Sequence, residues 1–391
     1  MKIYLVGGAV RDQIMGVSSR DRDYVVVGSS IDEMLSRGYI LVGKSFPVFI
    51  KPDSSDEYAL ARKEKKIGDK HTDFELIFDS SITLEEDLMR RDFTCNAIAY
   101  DEELGRYIDY TGGIQDIQNK VLRHINSHFV EDPLRIIRLC RFAAQLNFSI
   151  APETMVLCRE MSKSGQLKHL SSERIWNEIR YALKTTRFCK FIETAHECGA
   201  LKTILPLVED LWHRTKNSSP LIDYTLKDLK KIEAGNDVVK FAFLLKDTAV
   251  YSDLDKSYLR NIKCVQHICS KLKVQNTYRR FVIFIYKNID LLENISIINL
   301  RDILSLIDSY IKTDLDFENF LTACRGLGSD KSDFKETECK LRKIQKILSK
   351  IKAEDIPNFH ILPKDFSFKY KFFEFKLMVL EKSLININYL H

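Results

Sequence analysis

Near residue 124, the spacing of apolar residues along this chain changes from a strand period to a helix period. Before that point, ten of the 15 glycines lie at or before Gly113. Short β-branched and aromatic runs bounded by turn residues predict strands at 3–6, 24–27, 39–42, 46–50 and 58–61. After residue 124, apolar residues recur every three or four positions, which predicts amphipathic helices at 134–146, 175–183, 188–201 and 341–351. The pattern therefore predicts an α+β fold with a small sheet in front.

Composition narrows the class of protein further. The 391 residues are 45% hydrophobic, with only 15 glycines and 8 prolines, which predicts two or three packed domains and excludes a disordered or collagen-like chain. No apolar run approaches the roughly 18 residues of a membrane span, and Arg11 and Asp12 interrupt the one that could begin a signal peptide. We therefore expect a soluble, cytoplasmic protein that makes no membrane contact. The nine cysteines include no CxxC pair, which favours reduced, mostly buried thiols.

Charge is divided unevenly along the chain. Residues 1–226 hold 31 Lys and Arg against 33 Asp and Glu, whereas residues 227–391 hold 29 against 22, so the net charges are −2 and +7. A basic half beside a near-neutral half fits a polyanion-binding module joined to a chemical module. An ordinary lysine-rich helical surface would give the same imbalance.

A predicted strand that runs into paired glycines carries the first chemical signal. Gly7 and Gly8 follow the strand at 3–6 and precede a short helix that ends near Gly16. Two glycines let backbone N–H groups approach an anion closely, and the helix adds its positive end, so a triphosphate could bind there. A plain tight turn followed by a surface Arg11 would produce the same pattern.

Asp21 and Asp23 directly precede the next predicted strand. Because strand residues at i and i+2 point to the same face, the two carboxylates are expected to lie side by side. A pair of Mg²⁺ ions would relieve their repulsion, activate a hydroxyl and stabilise a leaving pyrophosphate. Glu57, which begins another predicted strand, is a candidate third carboxylate. A polar turn for the pair and a surface position for Glu57 are the alternatives.

Two arginine clusters complete the candidate site. The first is the run Arg90-Arg91-Asp92, and the second is Arg135, Arg138 and Arg141, whose spacing of three places them on one arc of a predicted helix. Three aligned guanidinium groups can bind an anion, and Asp132 with Arg135 offers an acceptor and a planar donor fork that can read a base edge. A solvent-facing basic helix capped by acidic residues is the alternative.

In their order along the chain, these motifs resemble those of class II tRNA nucleotidyltransferases, and of bacterial CCA-adding enzymes in particular. The resemblance is specific to about residue 142, looser to about residue 206 and faint beyond. The motifs that carry it are Gly7-Gly8-Ala9-Val10-Arg11-Asp12, Asp21-Arg22-Asp23, Arg90-Arg91-Asp92-Phe93-Thr94-Cys95-Asn96-Ala97, Asp109 with Gly112-Gly113, and Glu131-Asp132-Pro133-Leu134-Arg135 with Arg138 and Arg141. It implies a nucleotidyltransferase head with a small mixed sheet at 1–123, an all-α neck at 124–210, and a helical, tRNA-binding body and tail at 211–391.

The resemblance also implies an activity, namely template-independent addition of CCA to the 3′ end of tRNA from CTP and ATP. The tRNA 3′-hydroxyl would attack the α-phosphate in line and release pyrophosphate, with no covalent enzyme intermediate. The implied residues are the Mg²⁺ ligands Asp21 and Asp23, supported by Glu57; the triphosphate contacts Gly8, Arg11 and Arg91; and the base-pairing groups Asp132 and Arg135, with Arg138 and Arg141 completing the pocket.

Two further segments bear on the extent of the activity. Residues 63–82 lie where this family has a flexible loop linked to the switch from C to A addition, which favours a complete CCA adder; an ordinary surface loop is the alternative. Residues 241–247 resemble the segment that carries a His-Asp pair in longer members with a phosphohydrolase domain, but Lys246 replaces the histidine. A protonated lysine cannot ligate a metal, so we expect no phosphohydrolase activity.

Three other functions remain open from the sequence. A bacterial poly(A) polymerase resembles this family in the same motifs and uses ATP only. A glycosyltransferase could hold the metal of a sugar nucleotide with the two aspartates, but the arginine helix would then have no role. A non-catalytic RNA-binding relic is the third possibility, although Asp21, Asp23, Arg91 and Arg135 are intact.

Overall fold

The computed structural model describes residues 1–18, 21–42, 47–52, 54, 56–66, 74–232, 235–248, 262–311, 313–328, 334–357 and 366–388. The chain divides into two compact units, Met1–Glu209 and Asp210–His391. The first unit contains a sheet with helices, and the described part of the second is helical apart from one short hairpin. The α+β class is therefore confirmed, whereas the three-part division at residues 123 and 210 stays a prediction.

The strands of the head are β1 (Lys2–Val6), β2 (Asp23–Val27), β3 (Ile40–Leu41), β4 (Val48–Ile50), β5 (Glu57–Leu60), β6 (Lys63–Lys66), β7 (Phe74–Ile77), β8 (Ile98–Asp101) and β9 (Arg106–Asp109). Seven of them form one sheet in the order β3-β4-β5-β2-β1-β8-β9. β2 and β5 are parallel and the other neighbours are antiparallel, so the sheet is mixed, as expected. β1 to β5 overlap the five predicted strands, with ends that differ by one or two residues; residue 46 of the fourth prediction lies outside the described residues.

The helices of the first unit are α1 (Gly8–Ile14), α2 (Ile31–Ser36), α3 (Leu84–Met89), α4 (Gly113–Gln118), α5 (Leu134–Leu146), α6 (Pro152–Lys163), α7 (Ser172–Leu183), α8 (Phe188–Glu197), α9 (Leu201–Ile204) and α10 (Pro206–Glu209). α5 has the predicted bounds. The prediction of one helix over 188–201 was wrong, because Gly199 turns the backbone with a φ of +76° and separates α8 from α9. A short parallel pair, β10 (Val121–Leu122) and β11 (Ser149–Ile150), lies on either side of α5 in the sequence.

Strand register brings the glycine turn beside the acidic doublet. Val6 at the end of β1 pairs with Asp23 at the start of β2, and Asp23 pairs with Glu57 at the start of β5. Gly7 directly follows Val6, so the glycine turn and the two acidic strand starts meet at one end of the sheet. Every further element of the candidate site is positioned relative to this sheet end.

Helix α3 is fixed against one face of the sheet. It begins with a capping box, in which Thr83 accepts from the backbone of Glu86 and Glu86 accepts from the backbone of Thr83. Its Leu84 and Leu88 belong to a buried cluster that also includes Val6, Val25 and Ala99 of the sheet. Because α3 is anchored in this way, the two arginines that follow it are placed by the core rather than by a free loop.

The segment 63–82 is not a loop throughout. β6 and β7 pair as antiparallel strands at its ends, so the expectation of a loop was wrong there. The alternating run Phe74-Glu75-Leu76-Ile77 has strand character, which accounts for the pairing. Residues 67–73 lie outside the described residues, and the proposed link of this segment to the C-to-A switch stays a prediction.

The second unit contains a short hairpin, β12 (Thr215–Lys216) and β13 (Ser219–Pro220), and the helices α11 (Leu221–Leu229), α12 (Asp237–Lys246), α13 (Ile262–Lys271), α14 (Asn276–Glu293), α15 (Leu300–Ile311), α16 (Phe317–Leu327), α17 (Phe334–Leu348) and α18 (Phe366–Asn388). Its core is rich in aromatic rings, among them Phe281, Tyr310 and Phe320. Seven of the eight described cysteines are buried, Cys339 is exposed, and all eight are free thiols. None of the helices described here is long and apolar enough to cross a membrane.

Candidate active site

In the turn between β1 and α1, the backbone of Gly7 and Gly8 lies next to two guanidinium groups. Gly7 has a φ of +72°, which an L side chain rarely adopts. A Cβ on Gly7 would lie 3.2 Å from Nη1 of Arg91, and one on Gly8 would lie 3.5 Å from Nη2 of Arg11. The turn therefore needs a glycine at Gly7, whereas at Gly8 a side chain would only reach van der Waals contact with Arg11; the two arginines close to the main chain suit an anion.

Arg11 is buried and held rigidly. Its Nη1 donates to Oδ1 of Asn96 at 2.8 Å, and its Nε and Nη2 donate to Oδ1 of Asp12 at 2.9 and 2.7 Å. Asn96 in turn donates through Nδ2 to Oδ1 of Asp92 at 3.1 Å. These contacts leave two of the five N–H donors of Arg11 for a ligand and fix their direction.

Arg91 is oriented by a buried carboxylate at the end of α3. Its Nη2 lies 3.1 Å from Oδ2 of Asp87, which also pairs with Arg90 at 2.6 Å. Burial by itself would raise the pKa of Asp87, but Arg91 and Arg90 lower it below its ordinary value. Nε of Arg91 is buried and makes no hydrogen bond. An unsatisfied donor on an arginine whose Nη1 lies close to Gly7 is what an anionic ligand would satisfy.

Asp21 and Arg91 both affect the pKa of Asp23. The pKa of Asp23 is raised, chiefly because the surrounding protein displaces solvent; Arg91 opposes this effect and Asp21 adds to it. A carboxylate whose charge is disfavoured by a neighbouring carboxylate is a suitable oxygen donor for Mg²⁺, which commonly takes one or two carboxylates and completes its shell with water and substrate oxygens. The residues present therefore fit the implied ion.

Glu57 lies beside Asp23 in the β2–β5 register, and its side chain is exposed. Within the described ranges, no group of three His, Cys, Asp or Glu side chains is close enough to hold a metal ion. Glu57 is thus a neighbour of the doublet at the same sheet end rather than a third member of a closed ligand set, and its supporting role stays a prediction.

The arginines of α5 meet Arg11 around one aromatic ring. The guanidinium carbons of Arg11, Arg138 and Arg141 lie 5.6, 5.4 and 4.0 Å from the centroid of Phe142. Such distances permit cation–π attraction, which here gathers three cations from two elements. Helix α5 and the glycine turn therefore contribute to one basic cluster.

Buried acids hold two of these arginines in place. Nε and Nη2 of Arg138 each lie 2.7 Å from Oδ2 of Asp92, and Nη1 lies 3.6 Å from Glu178 of α7. Arg141 donates through Nε to Glu178 and through Nη1 to Gln145 at 2.9 Å. Asp92 raises the pKa of Arg138 above its ordinary value, so that arginine is firmly charged. The three arginines of α5 are thus paired with protein groups and do not form a free cationic surface.

Asp132 and Arg135, the acceptor and the donor fork of the base-reading hypothesis, each have protein partners, and their role stays a prediction. Asp132 accepts from the backbone N–H of Leu134 at 3.0 Å and from Nη2 of Arg174 at 2.8 Å. Arg135 donates to the carbonyl oxygens of His128 and Arg90 at 2.8 and 2.7 Å. Two of its five donors are engaged, and the bond to Arg90 ties the start of α5 to the end of α3.

The site is therefore continuous. Asp23 interacts electrostatically with Arg91, and the carbonyl oxygen of the adjacent Arg90 accepts a hydrogen bond from Arg135 on α5. The acidic doublet and the arginine helix share one region of the first unit, as the proposed chemistry requires.

Sequence reasoning missed the groups that orient the arginines. These are Asp92 and Asn96 after α3, Phe142 on α5 and Glu178 on α7; Arg174 on α7, which pairs with Asp132, was also missed. Glu178 offered one usable signal, because it lies between Ile175 and Ala182 on the apolar face of a predicted helix. A carboxylate in that position is only 6% exposed and needs a cationic partner.

In the segment 241–247, where Lys246 replaces the histidine of the His-Asp pair, the lysine supplies a positive charge inside the protein. The ammonium of Lys246 lies 2.6 Å from Asp247 and 3.1 Å from Asp228, and Asp247 also accepts from the hydroxyl of Thr225 at 2.7 Å. Burial lowers the pKa of Lys246, but the two carboxylates outweigh it and raise the pKa above its ordinary value. The lysine is therefore charged and occupies both acids. The absence of phosphohydrolase activity stays a prediction.

Two family models match the chain. The poly A polymerase head domain matches residues 3–123, and the probable RNA and SrmB-binding site of polymerase A matches residues 147–211. Together with the mixed sheet, the glycine turn and the acidic doublet, these matches define a nucleotidyltransferase of the poly(A) polymerase class.

Relatives narrow the class to a family. A multifunctional CCA protein from Vibrio campbellii is 42% identical over 308 residues, 73% of this chain and 74% of the relative. Another from Xanthomonas campestris pv. campestris is 43% identical over 301 residues, 72% and 73% of the two chains. This chain belongs to the CCA protein family, as its motifs predicted. The fold is shared with the solved CCA-adding enzyme of Bacillus stearothermophilus in complex with CTP, with a TM-score of 0.68 over 97% of this chain and 89% of that one, at 20% identity.

Proposed function

We propose that this chain adds C, C and A to the 3′ end of tRNA, using CTP and ATP. The observation that carries the proposal is the convergence of Arg11, Arg91 and Asp23 on the bare backbone of Gly7 and Gly8, with the arginines of α5 in the same cluster. Membership of the CCA protein family supports the same activity.

The glycine turn is assigned to the triphosphate. Gly7 and Gly8 carry no side chain between their backbone and the two guanidinium groups, and the free donors of Arg11 together with the unsatisfied Nε of Arg91 would bond to phosphate oxygens. Arg138 and Arg141 would complete the pocket from α5. Because acids already fix these guanidinium groups, they need little reorganisation when the nucleotide binds.

Asp21 and Asp23 are assigned to Mg²⁺, and Glu57 to the support of that site. Members of this family generally use divalent metal ions. When bound, such ions polarise the reacting groups and offset charge on the leaving pyrophosphate. In the reaction, the tRNA 3′-oxygen forms a bond to the α-phosphorus and loses its proton, and the bond from that phosphorus to the bridging oxygen of the β-phosphate breaks.

Asp132 and Arg135 are assigned to the base of the incoming nucleotide. Arg135 keeps three donors outside its two bonds to carbonyl oxygens, and Asp132 accepts from a neighbouring N–H and from the exposed Arg174. A planar donor fork beside a carboxylate can recognise the Watson–Crick edge of cytosine or adenine. Selection would then be made by protein side chains.

The helical second unit is assigned to tRNA binding through its net positive charge. Residues 227–391 carry seven more basic than acidic side chains. Contacts of this kind recognise the phosphate backbone and shape of RNA and do not read its bases.

An extension assay tests the proposed function. A tRNA transcript that ends before CCA is incubated with the protein and with CTP, ATP, GTP or UTP separately, and then with CTP and ATP together. We expect two additions with CTP, one more when ATP is present, and none with GTP or UTP. Long extension by ATP alone would instead identify a poly(A) polymerase, and no extension by any nucleotide would leave only the relic hypothesis.

A further inference from the structure

Helix α7 presents an exposed aromatic ring next to the arginine cluster. Tyr181 is 51% exposed, and among residues 147–211, all of which are described, it is the one exposed aromatic side chain. This is the span that matches the model for a probable RNA and SrmB-binding site. The other aromatic side chains of the span pack inside, so the exposure of Tyr181 is not a general property of this surface.

Three cations surround the ring of Tyr181. The guanidinium carbons of Arg180 and Arg141 lie 5.6 and 5.9 Å from its centroid, and the ammonium of Lys184 lies 5.8 Å from it. Neither Arg180 nor Lys184 forms a salt bridge in the described part of the chain, and Nε of Arg180 is buried without a hydrogen-bond partner. An exposed ring with unpaired positive charge around it is chemically complementary to single-stranded nucleic acid.

The ring of Tyr181 lies beside residues of α7 that contact the candidate site. Arg174, Glu178 and Tyr181 follow one another at helical spacing along α7; Arg174 contacts Asp132, just before α5, and Glu178 contacts Arg141 of α5. Arg141 touches both Phe142 and Tyr181. From Arg135 to Arg141, six residues, α5 advances about 9 Å at 1.5 Å per residue. The ring of Tyr181 is therefore near the nucleotide cluster, but it lies at the level of Arg141 and not at the level of Arg135, which would read the base.

We propose that Tyr181 is a stacking site for a nucleobase of the RNA substrate close to its 3′ end, with Arg180 and Lys184 binding the adjoining phosphates. This rests on the proposed function, because it assumes that the strand being extended lies along α5 and α7. Stacking on tyrosine tolerates any base, which suits an enzyme whose primer end changes in identity as nucleotides are added.

Replacement of the ring tests the proposal. Tyr181→Ala should raise the Kd for tRNA lacking CCA, measured by fluorescence anisotropy, about 5- to 100-fold, as loss of one stacked base does. Tyr181→Trp should bind within about twofold of wild type, because it retains a stacking face. The KM for CTP should change less than twofold. Tyr107→Ala removes another exposed tyrosine, on β9, and serves as the matched control.

A fluorescent base gives a second, direct readout. 2-Aminopurine placed at each of the last three positions of the tRNA should be quenched on binding to wild type at one of them, and Tyr181→Ala should lose that quenching. If Tyr181→Ala binds tRNA and quenches like wild type while wild type extends tRNA, the stacking site is refuted and the proposed function stands; a protein partner at this surface would give that result. If wild type extends no tRNA with any nucleotide, the proposed function itself fails.

Discussion

Asp92 offers the sharpest test of how this site is held together. It receives Nε and Nη2 of Arg138 at 2.7 Å, the amide of Asn96 at 3.1 Å and the backbone N–H of Phe93 at 2.8 Å. The side-chain oxygen of Asn96 in turn accepts a hydrogen bond from Arg11. A single carboxylate thus links an arginine of α5 with an arginine of the glycine turn, and Asp92→Asn removes its charge while keeping its shape.

The burial of the ion pair between Asp92 and Arg138 determines how much stability Asp92→Asn should lose. Breaking a fully buried ion pair costs about 3–5 kcal/mol. The side chain of Arg138 is 33% exposed, so water compensates part of the loss, and we expect Asp92→Asn to lower the free energy of unfolding by about 2–3 kcal/mol. For a unit of this length, that corresponds to a fall in Tm of about 5–10 °C. Since both linked arginines lose an anchor, kcat/KM for CTP should fall about tenfold or more.

The pKa of Asp92 determines the pH range in which its charge stabilises the fold. Burial would raise the pKa of Asp92, but Arg138 and the hydrogen bond from Asn96 lower it below the ordinary value of 3.8. A carboxyl group with a depressed pKa in the folded state stabilises the fold above its unfolded pKa, and the contribution is lost as pH falls through the folded value. The difference between wild type and Asp92→Asn should therefore be full at pH 7 and should shrink below pH 3.8.

Urea unfolding followed by circular dichroism at pH 7 and at a series of acidic values measures this difference. Asp32→Asn, which changes an exposed carboxylate of α2, is the control and should alter stability by less than about 0.5 kcal/mol. A loss for Asp92→Asn no larger than that of the control at pH 7, or a loss that is equally large in acid, would show that Asp92 does not act as the charged link described here.

Four other predictions concern the proposed chemistry. Asp21→Asn and Asp23→Asn should each abolish addition of C and of A in the extension assay while leaving the Kd for tRNA unchanged; normal turnover would contradict a metal-binding role. Gly7→Ala should raise the KM for both nucleotides at least tenfold, because its φ is unfavourable and its Cβ would crowd Arg91 at 3.2 Å; an unchanged KM would remove the triphosphate assignment. Arg135→Ala should reduce discrimination among nucleotides by about 1–3 kcal/mol in kcat/KM ratios, and retained selectivity would exclude base reading. Removal of divalent ions with EDTA should weaken CTP binding in calorimetry at least tenfold, and equal affinity would show that the arginines suffice.

Local patterns determined how much could be predicted from the sequence. The strands around Asp23 and the bounds of α5 were predictable because each depends on residue spacing within one short segment. The pairing of Arg138 with Asp92, 46 residues away, and of Arg141 with Glu178, 37 residues away, depends on how α3, α5 and α7 pack. For that reason the sequence suggested an open row of cations on α5, whereas the structure shows cations already paired with buried acids.

These pairings change how the site can bind a triphosphate. Its seven arginines face eight carboxylates: Arg11, Arg90, Arg91, Arg135, Arg138, Arg141 and Arg174 on one side, and Asp12, Asp21, Asp23, Glu57, Asp87, Asp92, Asp132 and Glu178 on the other. A cluster with no net positive charge attracts a polyanion weakly through its overall field, so the arginines contribute mainly as fixed, directed donors. The charge that a nucleoside triphosphate brings must then be met by cations that bind with it. The unfavourable proximity of Asp21 and Asp23 provides the place for them, because neutralising that pair is the one step that turns the whole cluster positive.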